Sequence, residues 1–337
     1  MILKIGAGCI SFRFLLLLND MRSLFRVCCA VFSSAALFFS CSLTKNIAVN
    51  SVSDMLAGGG DSDTALLALT GETDVRLVAD FFPTALKLYE VLHFQNPRHV
   101  GLAVTTGSLY VMYANAFVQA EAEMLPIDRF GEQTEQFGRA KLFYLRGREY
   151  VLNALDTAYA GFAAAVRSSD ADRVASAAAR LKKSDVNAVY WLCAGWLGAF
   201  ALDPLDPELL ASSGSAVVLL ERAAELDGSY NGGALWDVLA AYYAAAPAGF
   251  GGDPERAAFC QQESMRLSGG KVPGPYITYA VSFCVPAQDK AGFVDALRAA
   301  LRIDPDEQPS SRLATVIAQK KAAWLLDHTD DYFIDWN

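Results

Sequence analysis

Four stretches of this chain repeat one arrangement of apolar side chains. Tyr110/Tyr113/Ala114/Phe117, Trp191/Ala194/Gly195/Gly198, Trp236/Leu239/Ala240/Tyr243 and Tyr276/Tyr279/Ala280/Phe283 fall at i, i+3, i+4 and i+7. Residues at that spacing share one face of an α-helix. A second stripe follows each: Ala140/Tyr144/Gly147/Tyr150, Ala216/Leu220/Ala223/Leu226, Ala257/Gln261/Ser264/Leu267 and Phe293/Leu297/Ala300/Ile303, the last closing on Asp304-Pro305. The pattern predicts first helices over 97–122, 188–202, 233–246 and 275–285, and second helices over 133–167, 213–226, 254–267 and 291–303. An opening helix or pair over 74–95, interrupted near Pro83, an Ala-rich helix over 170–183 and a closing helix over 310–327 complete the set. Strand-like alternation is nearly absent.

A small residue in each stripe lets the partner helix approach, and the large residues fill the space beside it. One hairpin cannot bury its stripe alone, so hairpins stack. This is the tetratricopeptide (TPR) pattern of paired helices. Gly198 departs from it where an aromatic is usual, and Gln261 where Phe or Leu is usual. The predicted fold is all-α, a TPR-like helical-hairpin solenoid with extra helices and a capping C-terminal helix; the alternative is a generic helical bundle. Lys320 and Lys321 face outward in this reading. From first-helix to second-helix marker the separations are 26 residues for Ala114 to Ala140, 21 for Gly195 to Ala216, 17 for Ala240 to Ala257 and 13 for Ala280 to Phe293. The hairpin connections therefore carry insertions that shrink along the chain. Insertions at equivalent points of a solenoid gather along one edge, beside a binding surface or as plain surface loops.

The amino terminus reads as a targeting segment over residues 1–40. Arg22 and Arg26 precede an apolar run from Val27 to Phe39, which is too short to span a bilayer as a mature helix. Ser40-Cys41 ends the run with the small-residue-then-Cys logic of a bacterial lipobox, although Phe38 stands where Leu is usual. Cys41 is the expected lipidation site, and Met21 reads as the true start. A membrane-spanning hairpin formed with an earlier apolar run from Ile10 to Leu18, or a plain secreted protein, are the alternatives. Residues 41–64, with Gly58-Gly59-Gly60, form a lipidated flexible linker, and 65–337 one helical domain. The expected location is the periplasm, with the domain tethered to the inner or outer membrane by lipid alone.

Charge and chemistry narrow the function. The chain has 28 basic and 37 acidic residues, a net charge of −9; without residues 1–40 it becomes 24 − 36 = −12. So acidic a body argues against nucleic acid and anionic lipid surfaces as partners. Cys193, Cys260 and Cys284 remain after Cys41, an odd number far apart, and read as buried free thiols. No metal-ligand spacing, phosphate loop or Ser-His-Asp arrangement emerges, with only His93, His99 and His328 in the chain. Neither metal nor cofactor is expected, and the protein is read as no enzyme. Asp253-Pro254-Glu255 reads as an N-cap, a first-turn Pro and an acidic first turn.

In such arrays the first helices face the concave side. The positions one and five after each leading aromatic are Val111 and Asn115, Leu192 and Trp196, Asp237 and Ala241, Ile277 and Val281. We expect Val111, Asn115, Leu192, Trp196, Asp237, Ile277 and Val281 to line a ligand channel, because the set is mostly apolar and lacks the basic side chains of a peptide-carboxylate clamp. The competing expectation is a groove filled by extra helices, with Trp196 as core.

Four stretches carry a family resemblance: Leu109 to Phe117, Arg139 to Arg148, Phe250-Gly251-Gly252-Asp253-Pro254-Glu255-Arg256-Ala257 and Leu267-Ser268-Gly269-Gly270-Lys271. With them the chain resembles the tetratricopeptide lipoproteins associated with tripartite ATP-independent periplasmic (TRAP) transporters, above all the spirochaete member. The resemblance implies an all-helical lipoprotein that associates with itself as a homotrimer. It also implies docking to a periplasmic TRAP substrate-binding protein and a hydrophobic channel through each protomer for a small hydrophobic ligand. The alternatives are a protein-binding scaffold without ligand and an outer-membrane-assembly TPR lipoprotein.

Overall fold

The computed structural model describes Ser53, residues 63–168 and residues 170–334. The targeting segment, Cys41 and most of the linker lie outside the described residues. Two helices open the domain: α1 (Asp63–Thr70) and α2 (Val75–Gln95), the second capped by Asp74, whose carboxylate accepts the N–H groups of Arg76 and Leu77. Pro83 sits inside α2 without breaking it. Next come α3 (Val100–Tyr113), a π-helical turn (Ala114–Gln119) and α4 (Ala120–Glu123) in one continuous rod. His99 caps that rod, its Nδ1 accepting the Leu102 N–H.

The long helix expected over 133–167 is two. α5 (Phe130–Ala158) ends at Tyr159, and Gly161, at φ 79°, turns the chain into α6 (Phe162–Val166). Glycine adopts this left-handed conformation without the Cβ penalty. α7 (Ala171–Ala179) is capped by Asp170. The hairpins come next: α8 (Val186–Leu202) with α9 (Pro207–Asp227), then α10 (Ala234–Ala245) with α11 (Pro254–Ser268). α12 (Gly274–Tyr279) runs through a second π-helical turn (Ala280–Cys284) into α13 (Val285–Ala287) and pairs with α14 (Lys290–Leu301). α15 (Arg312–Asp327) closes the domain. No strand occurs among the described residues.

Asp-Pro starts two of these helices. Asp206 and Asp253 each accept two N–H groups of the following turn, and Pro207 and Pro254 occupy the first helical position, where no N–H is required. α9 therefore begins six residues before the predicted helix does.

Glycines set the closest helix crossings. A Cβ on Gly147 would lie 2.7 Å from the Gly107 carbonyl oxygen, and one on Gly195 3.0 Å from the Tyr144 carbonyl oxygen. α3, α5 and α8 pack closely against one another there. The same packing explains Gly198: a Cβ there would stand 2.7 Å from the Tyr144 ring, which supplies from α5 the aromatic that α8 lacks. Gln261 is buried and donates to the Pro275 carbonyl at 2.8 Å, joining α11 to α12 where the pattern expects an apolar contact. One large apolar core runs from Val78 to Cys260, and a smaller one gathers Ala280, Phe293, Leu297, Ala322 and Leu325.

The closing helix does more than cap. α15 packs on α14 and also on α1 and α2. Arg312 donates to the Gly71 carbonyl at 2.9 Å, and Lys320 and Lys321 pair with Glu121 at 2.6 Å and Glu123 at 2.7 Å. The two lysines expected to face outward thus reach across to α4, so α15 bridges the last hairpin to the first helices. Such exposed pairs contribute little stability each; their significance is positional.

Candidate functional site

The seven residues expected to line one wall divide into two groups. Val111, Leu192 and Trp196 belong to the packed core, at 3 %, 0 % and 0 % exposure. The close crossings at Gly147 and Gly195 draw the helices together until Val111 fills the space between them, its Cγ2 lying 2.7 and 3.1 Å from where their Cβ atoms would be. The Trp196 indole donates to Ser212 Oγ at 3.1 Å and lies under the Arg148 guanidinium, 5.1 Å from the ring centroid. In this structure all three side chains are packed within the core.

Asn115, Asp237, Ile277 and Val281 retain access. The two π-helical turns account for Asn115 and Val281. Each turn begins at the small alanine of the Tyr-x2-Tyr-Ala-x2-Phe set, Ala114 in one and Ala280 in the other. A π turn inserts a residue into the helical ladder, rotates the residues beyond it, and recurs at functional sites. Asn115 donates to the Tyr144 hydroxyl at 3.0 Å, and that hydroxyl donates to Gln119 Oε1 at 2.7 Å. Burial pushes the Tyr144 hydroxyl pKa far up, so it stays a neutral donor. Ile277 packs against the smaller core.

Asp237 is the exception among these apolar neighbours. It occupies the first turn of α10, surrounded by protein yet with part of its surface open. Its Oδ1 is buried without a hydrogen-bond partner. Burial raises its pKa to about 6, opposed only by a contact with the Thr278 hydroxyl. Tyr190 of α8 stands close enough to feel its charge, and the Tyr190 hydroxyl is itself pushed up to about 12, first by burial and then by Asp237. Tyr190 packs on Trp191 and Tyr230 with ring centroids 5.0 and 5.4 Å apart. Asn187 Oδ1 accepts from both the Trp191 indole and the Tyr230 hydroxyl, leaving those rings fixed. Sequence reasoning missed Tyr190 and Thr278; each sits one position from a stripe or wall residue, Trp191 and Ile277.

Glu90 shows what a satisfied interior carboxylate looks like here. Burial would raise its pKa, but bonds from Lys87 and Tyr110 and the nearby Arg146 outweigh burial and lower it. It faces an open cleft of about 570 Å³ that Arg146, Glu149, Tyr150 and Asn153 also line. A second cleft of about 570 Å³, mainly apolar, lies among Gln261, Met265, Tyr276, Tyr279, Ala296 and Ala299. Cys193, Cys260 and Cys284 are free and buried. Burial raises the thiol pKa of each, that of Cys260 to about 11, so none is a ready nucleophile. Among the described residues no cluster could hold a metal ion, and no helix is long and apolar enough to cross a membrane.

Comparison with known proteins places this architecture. The profile of a family described as TRAP transporter T-component matches residues 71–333. An uncharacterized protein of Treponema pallidum (strain Nichols) is 44 % identical over 318 residues, covering 92 % of this chain and 98 % of that one. The match takes in the π-helical turns, the glycine crossings and the closing helix alike, and the chain belongs to the TRAP transporter T-component family.

Proposed function

We propose that this protein is a periplasmic lipoprotein, anchored through Cys41, that docks a TRAP substrate-binding protein and helps pass a small, largely apolar organic ligand along its inner wall. In this reading the array is TPR-like and non-enzymatic, and it acts as a homotrimer. The ligand path rests on Asn115, Tyr190, Asp237, Ile277 and Val281, which keep some access on successive first helices of the array beside buried neighbours such as Val111, Leu192, Leu239 and Ala280. Family membership supports the transport role. The lipid anchor rests on the Ser40-Cys41 pattern.

Native mass spectrometry of the purified protein with its substrate-binding protein is the direct test. A complex carrying a retained small molecule is expected; a complex that never retains one leaves only the scaffold reading. Val281, at 37 % exposure, sharpens the test. Val281→Lys is expected to leave the melting temperature within a few degrees, because the ammonium can reach water, and to abolish ligand retention. A buried unpaired charge costs several kcal/mol, so a collapsed melting temperature would mean a filled groove and no path.

Self-association has a surface to use. Leu77, Phe81, Leu88 and Val91 form an exposed apolar stripe on α2, at 58 %, 45 %, 56 % and 57 % exposure, while Val78, Phe82, Ala85 and Leu86 of the same helix are buried. A helix with a second apolar face outside the core marks an interaction surface. The double change Leu77→Asp with Leu88→Asp is expected to reduce the mass measured by light scattering to that of one chain while preserving helicity. An unchanged mass would remove α2 from the interface.

A further inference from the structure

We propose that the inner wall recognises an organic cation, an amine or quaternary ammonium on an apolar tail, with the Asp237 carboxylate as its counter-charge and the Tyr190–Tyr230 rings beside it. The inference rests on the ligand-path reading and names the chemistry that path would select.

A carboxylate in protein surroundings ordinarily gathers partners, as Glu90 does from Lys87, Tyr110, Tyr150 and Arg146. Asp237 gathers almost none. Oδ1 is occluded and unpaired, Thr278 offers a single hydroxyl, and no basic side chain contributes to its environment. A buried carboxylate left so costs free energy unless a partner arrives. Gly274 keeps one side uncovered, since a Cβ there would lie 3.2 Å from Oδ2. Oδ1 is occluded, so a ligand would meet the carboxylate through the part of Asp237 that stays open.

The chemistry of that partner emerges by elimination. An anionic head would be repelled. A hard metal ion needs several oxygen ligands, and no such cluster exists among the described residues. A neutral hydroxyl would supply one hydrogen bond and no charge. An ammonium supplies both, and aromatic faces attract it further. Tyr190 offers such a face, with the rings of Trp191 and Tyr230 each within 5.4 Å of it. The acidic chain, at −9 overall, also raises the local concentration of cations. The titratable group facing Asp237 is Tyr190 from α8, with Tyr230 behind it; both hydroxyls are shifted up and stay silent between pH 5 and 8.

Calorimetry with three probes of one tail length decides the matter: octyltrimethylammonium, octanol and octanoate. At pH 7.5 the cation is expected to bind at least about tenfold more tightly than octanol, and octanoate most weakly. The preference should fall by about tenfold per pH unit below 6, as Asp237 takes up a proton. Asp237→Asn should abolish the preference of cation over octanol. That variant should fold. A carboxyl whose folded pKa is raised contributes stability below its unfolded value, and that contribution is lost as pH rises through about 6. The neutral amide escapes that loss, so its melting temperature at pH 7.5 should equal or exceed that of the unaltered protein. Equal binding of cation and octanol, or a preference that survives Asp237→Asn, would overturn the cation site and leave the ligand path standing. Binding of none of the three would overturn both.

Discussion

Replacing Trp196 by alanine is expected to cost about 3–5 kcal/mol of stability, the usual range for deleting a fully buried large aromatic. The indole is 0 % exposed and does three jobs at the α5–α8 crossing. It fills volume that no neighbour can reclaim while Gly195 holds the helices at contact distance. Its N–H satisfies Ser212. Its face covers Arg148, a nearly buried guanidinium that pairs with Glu149 and Glu208, each at 3.0 Å. The truncation opens a cavity and uncovers a buried charge together. Urea unfolding followed by far-ultraviolet dichroism measures the loss. A cost below about 1 kcal/mol would mean that the indole borders open space, and would return Trp196 to the ligand wall.

The contrast between Trp196 and Val281 shows how far the sequence can be read. Both hold the fifth position after a leading aromatic, so periodicity assigns them one environment. The helices themselves were legible because the stripes, and Asp253-Pro254 at the start of α11, depend on local chemistry alone. The same signal at Asp206-Pro207 went unread, and it starts α9 six residues ahead of the predicted helix. Three features were not. The break before α6 is hidden because Leu155 and Phe162, seven residues apart, keep the stripe in phase across it; only the left-handed Gly161 marks the turn. The π-helical turns leave no compositional trace, yet they rotate Asn115 and Val281 away from the register that Val111 obeys. The bridge from Lys320 and Lys321 to α4 joins residues about two hundred positions apart, and exposed charges on a helix carry no signal of their partner. Asp237 was found for its position on the concave register. Its aromatic and hydroxyl neighbours were not, because their approach depends on how α8, α10 and α12 pack.

Gly147→Ala and Gly138→Ala are expected to shift stability in opposite directions, although both make the same change within α5. An alanine in a helix interior is favoured over glycine by about 0.8–1 kcal/mol. At Gly138 nothing lies within 4 Å of the added Cβ, so that gain stands alone and the melting temperature should rise. At Gly147 the added Cβ would lie 2.7 Å from the Gly107 carbonyl oxygen and 2.7 Å from Val111 Cγ2. The first obstacle is backbone, which can retreat only by moving α3 away from α5. Gly107 cannot make room by shifting along the crossing, because its own Cβ position is 2.5 Å from Val151 Cγ2. Overpacking of this kind costs about 1–3 kcal/mol and at times more. The strain should exceed the propensity gain, leaving a net loss of about 1 kcal/mol and a lower melting temperature. Paired thermal melts of the two variants read the sign directly. A Gly147→Ala protein that melts at or above the parent temperature would show that α3 and α5 are not held at contact. The packing that makes Val111 core would then fail with it.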